Sequence, residues 1–104
     1  MDDQELTIAW RFTARAGKEL EFEKVYGAGG DWATLFRSAS GYRGARPYRS
    51  RQAPRRSLVI DRWSSAEAFA RFKSSSSEEY RALDERCEEL TADETHLGDF
   101  TEIA

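Results

Sequence analysis

"VIDRWSSAEAFARF", residues 59–72, decides the fold. Val59 and Ile60 belong to the run "SLVIDRW" (57–63), which is short, apolar and rich in branched residues, as a buried strand is. Directly after Trp63, Ser64-Ser65-Ala66-Glu67 reads as a capping box, in which serine and glutamate satisfy each other's unpaired backbone N–H groups. Ala66, Phe69, Ala70 and Lys73 follow at helical spacing, with Phe72 beside Phe69. Strand and helix therefore fork at Trp63 with almost no loop between them.

Working outward, "LTIAWRF" (6–12) alternates, placing Leu6, Ile8, Trp10 and Phe12 on one face of a first strand. After Gly17, "KELEFEKVYG" (18–27) carries Phe22, Val25 and Tyr26 at helical spacing and stops at Gly27. The "GAGG" turn (27–30) leads to Asp31, predicted to cap a second short helix whose stripe is Trp32, Leu35 and Phe36. "GYRGARPYRSRQ" (41–52) reads as a strand that Gly44 and Pro47 mark as bulged or at an edge. Downstream, the serines Ser74–Ser77 interrupt the helix and offer a second cap. The next helical stripe is Tyr80, Leu83, Cys87 and Leu90, and "THLGDFTEI" (95–103) is a last strand with Gly98 in its middle. The order βαββαβ predicts an α+β, ferredoxin-like fold, a four-stranded antiparallel sheet with its helices on one face. The other face lacks cover. At 104 residues the chain is read as a single domain, 1–104.

Composition narrows the function classes. The chain is 34% charged and 39% hydrophobic, yet holds three Trp, four Tyr and six Phe, enough heavy side chains for a sparse core. A net charge of −3 argues against a general nucleic-acid binder, whose affinity comes from neutralising phosphates. "MDDQEL" does not resemble a signal peptide, and no apolar run approaches the roughly 20 residues that cross a bilayer. With one cysteine and no internal disulfide, a cytoplasmic protein is the simplest expectation.

Few residues offer chemistry on their own. The glycine turn joins two helical stripes, whereas phosphate-cradling loops run from a strand into a helix. Cys87 lies on an apolar stripe and reads as a buried structural thiol. One His and one Cys are too few for a closed zinc site, so no metal is expected. His96, with its near-neutral pKa, is the obvious candidate for carrying a proton. Arg43, Arg46, Arg49, Arg51, Arg55 and Arg56, interleaved with Tyr42 and Tyr48, raise an RNA-recognition motif as a rival. That module stacks bases on aromatic residues of its third strand, and "RRSLVIDRW" carries branched aliphatics there instead. No nucleic-acid partner is expected.

Trp63, Ser65, Phe69 and Phe72 match a W-x-S-x-x-x-aromatic-x-x-aromatic pattern. With "IAWRF", "YGAGGDWATLF", "SGYRG" and "LGDF", this resembles the antibiotic biosynthesis monooxygenase family of dimeric α+β barrels over nearly the whole chain. The resemblance implies a homodimer in which two sheets pair through their uncovered faces. It also implies a cleft between sheet and helices, lined in part by the tryptophan matching Trp63. Some characterised members oxidise polycyclic aromatic phenols with molecular oxygen and no cofactor; others degrade haem. The haem degraders use a first-strand asparagine and a second-helix histidine. This sequence contains no asparagine, and its second helix no histidine, so neither haem nor another cofactor is expected.

The expected ligand-binding residues are Trp10, Trp32, Trp63, Phe69, Phe72 and Tyr80, with one face of the Trp63 ring open to the cleft. His96, Trp63 and Asp61 are the catalytic candidates. Such an apolar pocket with few polar groups suits a small, flat hydrophobic or aromatic ligand. Two readings follow: a small cofactor-independent monooxygenase for aromatic or polyketide-like substrates, or a non-catalytic dimeric barrel that binds a ligand or serves as an interaction domain.

Overall fold

The computed structural model describes residues 4–103; Met1, Asp2, Asp3 and Ala104, the ends of the expected 1–104 domain and the start of the acidic "MDDQEL" segment, lie outside the described residues. The elements run β1 (Leu6–Ala14), α1 (Glu19–Tyr26), α2 (Asp31–Arg37), β2 (Tyr42–Arg49), β3 (Arg56–Trp63), α3 (Ala66–Ser75), α4 (Ser77–Cys87) and β4 (Thr91–Phe100). The strands form one four-stranded sheet in the order β2-β3-β1-β4, with every neighbouring pair antiparallel. This is the ferredoxin-like arrangement expected from βαββαβ, with each helical segment broken in two.

Period-two alternation decides which side chains meet the helices. Trp10 stands opposite Val59, and Phe12 opposite Ser57, so these share a face. On that face Phe12, Ala14 and Val59 bury against Phe22, Tyr26, Leu83 and Cys87. A second cluster joins Ile8 and Trp63 to Phe36, Ala68 and Phe72. The opposite face carries Arg11 against Leu58 and Ala9 against Ile60, and no element of the described residues packs over it. Tyr48, Leu97 and Phe100 remain 45–52% exposed.

Three local expectations are corrected. The N-cap of α2 is Gly30, not Asp31, and no side chain caps this helix. Asp31 is the first helical residue; its carboxylate instead accepts a hydrogen bond from Arg86 Nη2 at 2.8 Å. The cap of α3 is Ser65, whose hydroxyl accepts from the Ala68 N–H at 3.1 Å. That shifts the register by one residue, so Glu67 falls one position short of the site that completes a capping box. Ser76 precedes α4 without a side-chain cap bond, although the serine run does break the helix there. The edge position of β2 and its irregularity between Tyr42 and Gly44 follow the sequence expectation.

Gly41 ties the fork to β2. Its φ is +97°, and a Cβ there would meet Ser64 Oγ at 2.6 Å and Ala68 Cβ at 2.7 Å. Its carbonyl accepts from the Ser64 N–H at 2.7 Å, so the backbone passes directly against the start of α3. Among the described residues, no helix is long and apolar enough to cross a membrane.

Candidate functional site

Between the sheet and the helices lies a cavity of about 50 Å³. Its aromatic wall comes from three directions: Trp10 and Phe12 on β1, Tyr26 at the end of α1, and Trp32 and Phe36 on α2, with Tyr80 of α4 facing them. The rings brace one another. Phe12 lies 4.7 Å from Tyr26, and Trp32 meets Tyr80 edge-on at 5.1 Å, both between centroids.

The polar side chains of the wall other than the phenols and indoles are all acidic: Asp61 on β3, Asp84 on α4 and Glu94 on β4. Asp61 stands between Ile8 of β1 and Ala45 of β2 on the helix-facing side of the sheet. Its neighbour Arg62 points to the other side, where Nη2 holds Glu5 at 2.9 Å. Among the described residues no hydrogen bond or ion pair reaches Asp61, and burial alone pushes its carboxyl up to about 7. Burial also raises the Glu94 carboxyl, helped by the negative charge of Asp84. Tyr80 is pushed up to about 12, first by burial and then by Asp84, Asp61 and Glu94, so its hydroxyl senses all three carboxyls. Burial pushes Tyr26 upward as well. Both phenols therefore stay protonated at neutral pH.

Of the residues expected at the site, the structure brings Trp10, Trp32, Tyr80 and Asp61 together. Trp63, Phe69 and Phe72 do not line the cavity. The open ring face expected for Trp63 is corrected: the residue is 0% exposed, enclosed by Phe36, Tyr42, Phe69 and Phe72 at centroid distances of 5.1–5.5 Å. The reason is long-range. Phe36 from α2 and Tyr42 from β2 fill the gap that the fork would leave. His96 also stands outside the cavity; its Nε2 lies 2.8 Å from Asp99 Oδ1, and its ring packs 4.9 Å from Trp10. Among the described residues, no group of three or more His, Cys, Asp or Glu side chains is placed to hold a metal ion.

Tyr26, Phe36, Asp84 and Glu94 are wall residues that the sequence reading missed. Asp84 was findable, because it follows Tyr80 by four residues and so faces the same way on α4. Glu94 shares a strand face with His96 by period two, but its approach to Asp84 across the fold leaves no local trace.

The aromatic slot thus lies between a four-stranded antiparallel sheet and its helices in a ferredoxin-like α+β fold, and comparison with known proteins places that fold. The chain belongs to the antibiotic biosynthesis monooxygenase family, whose model matches residues 6–86. No curated protein matches it by sequence. Among solved structures it is similar to SnoaB, a cofactor-independent oxygenase from Streptomyces nogalater. The two share 27% identity over 97% of this chain and 95% of that one, with a TM-score of 0.75. A putative antibiotic biosynthesis monooxygenase from Bordetella bronchiseptica, 23% identical over 97% and 99% of the two chains, superposes with a TM-score of 0.72. A Pseudomonas aeruginosa protein at 17% identity, covering 97% and 96%, gives a TM-score of 0.72 and shares the fold.

Proposed function

We propose that this chain is a cofactor-independent monooxygenase acting on a flat aromatic substrate held in the cavity, with Asp61 as its base. The observation that carries the reading is a carboxyl without a partner, set in an aromatic cavity and pushed up to about 7. A phenol, whose ordinary pKa is near 10, gives up its proton about a thousandfold more readily to such a base than to an ordinary aspartate near 4. Family membership and the likeness to SnoaB support the same chemistry.

Removing the substrate's phenolic proton leaves an electron-rich anion that can pass an electron to dioxygen directly. The substrate is then its own reductant. In the net reaction a ring methylene becomes a carbonyl: two C–H bonds break, one oxygen atom enters the product, and the other leaves as water with both hydrogens. Oxygen uptake with a panel of flat phenols of three or four fused rings, each carrying one ring methylene, tests the reading. The expected outcome is uptake equimolar with substrate that falls about 10²–10⁴-fold in Asp61→Asn. Ligand binding without oxygen uptake would sink it and favour a binding barrel.

Two copies are proposed to pair through the uncovered sheet face, where Leu58 and Ile60 are half-buried and Tyr48 and Phe100 exposed. An interface closing two sheets into one barrel should bury about 2,000 Å² or more. Light scattering at micromolar concentration is expected to give twice the chain mass; the mass of one chain would contradict the pairing.

A further inference from the structure

The cavity that Asp61 serves has an unusual charge pattern for a site meant to hold a phenol. Three carboxyls line it, and no Lys, Arg or His does. Several cations elsewhere in the fold have partners of their own. Arg86 donates to Asp31 at 2.8 Å, Arg62 to Glu5 at 2.9 Å, and Arg49 to Glu23 at 2.6 Å. Lys73 sits over the rings of Phe69 and Tyr80, 5.5 and 5.0 Å from their centroids, and is not part of the wall.

We infer that the ligand is a flat aromatic molecule bearing a basic amine, its ring against Trp10 and Trp32 and its ammonium facing Asp84 and Glu94. The inference rests on the ligand-binding reading above and adds the charge of the substrate to it. Three features converge on an organic cation. First, the wall includes the electron-rich rings of Trp10, Trp32 and Tyr80, the side-chain type that attracts ammonium groups, and Tyr80 already holds the Lys73 ammonium 5.0 Å from its centroid. Second, Asp84 of α4 and Glu94 of β4 line the same cavity and the charge of Asp84 raises the Glu94 carboxyl, so a cation between them would relieve their repulsion. Third, an ammonium on the substrate offsets the negative charge that appears on its oxygen when Asp61 takes the proton. A purely acidic wall would otherwise oppose that step.

The test is calorimetric binding under nitrogen at low salt and pH 7.5, so no turnover enters the reading. The probes are 1-naphthylmethylamine (cation), 1-naphthalenemethanol (neutral) and 1-naphthylacetate (anion). The amine is expected to bind at least tenfold more tightly than the alcohol, with the acetate weakest. In the double variant Asp84→Asn/Glu94→Gln the amine's advantage should shrink to within about twofold, while the alcohol's affinity holds. Glu78→Gln/Glu85→Gln, which removes the same net charge from exposed positions of α4, should keep the advantage. The inference is overturned if the alcohol or the acetate binds as tightly as the amine, if the Asp84/Glu94 variant retains the preference, or if none of the three binds. Oxygen uptake with neutral phenols reads the oxygenase separately, so either reading can fail while the other stands.

Discussion

Trp63→Ala is expected to cost about 3–5 kcal/mol of folding stability, the range for deleting a large aromatic from a packed interior. Trp63 is 0% exposed and touches four other rings, drawn from α2, β2 and α3, so its removal leaves a hole that three elements would have to move to close. A domain of this size has about 5–15 kcal/mol in total, so the variant should be close to unfolding at physiological temperature. Trp63→Phe should behave very differently. The indole Nε1 is buried without a hydrogen-bond partner, so the native ring already carries a desolvation cost of about 1–3 kcal/mol. Phenylalanine loses area but also loses that unpaired N–H, and a net change within about 1 kcal/mol is expected. Urea midpoints of the two variants check both statements. An alanine variant as stable as the parent would mean that the ring is not enclosed.

Asp61→Asn is expected to stabilise the protein at pH 8 by about 2 kcal/mol while removing its base. The folded carboxyl titrates at about 7 because burial penalises its charged form. Since this is a raised pKa, its favourable contribution is complete below the ordinary value near 4. It is lost as pH rises from there to about 7, where the unfolded chain ionises and the folded one still holds its proton. Raising a carboxyl from near 4 to about 7 corresponds to roughly 4 kcal/mol, and partial access of water to the cavity reduces this to about half. Asparagine copies the neutral carboxyl and does not titrate. Parent and variant should therefore match near pH 4 and separate by pH 8, as urea midpoints at the two values would show. A gap of the same size at both would contradict the assignment. Stability and activity then pull against each other at one side chain, as they do where a site is built from a strained or desolvated group.

The strands were legible because their signal is local. Leu6 to Phe12 alternates, and the branched run ending at Trp63 can hardly be anything but a strand. The break at the serine run was legible for the same reason. What the sequence could not carry was which rings meet. Trp63 sits at a fork, and forks leave gaps unless something distant fills them; Phe36 comes from α2, well before it in the chain, and Tyr42 stands across the β2–β3 ladder. The cavity opens instead on the far side of Phe36, beside Trp10 and Trp32. The acidic wall was hidden in plain composition, because a chain rich in Asp and Glu gives no reason to single out three of them.

A cavity of about 50 Å³ holds about three waters and no fused-ring molecule. Any ligand of that size must find the protein in a rarer, wider state. Ser76 joins the two helices, its N–H donating to the Phe72 carbonyl and its own carbonyl accepting from the Tyr80 N–H, each at 2.9 Å. Leu83 and Cys87 hold α4 in the core, so widening the cavity at Tyr80 and Asp84 has to move α3 and α4 together. Measured affinity is then the affinity of the wide state multiplied by the fraction of time it exists, so a state present about 1% of the time weakens binding about a hundredfold. Substitutions that change how easily this pair of helices moves would then shift the affinity of every ligand alike, without touching one of them.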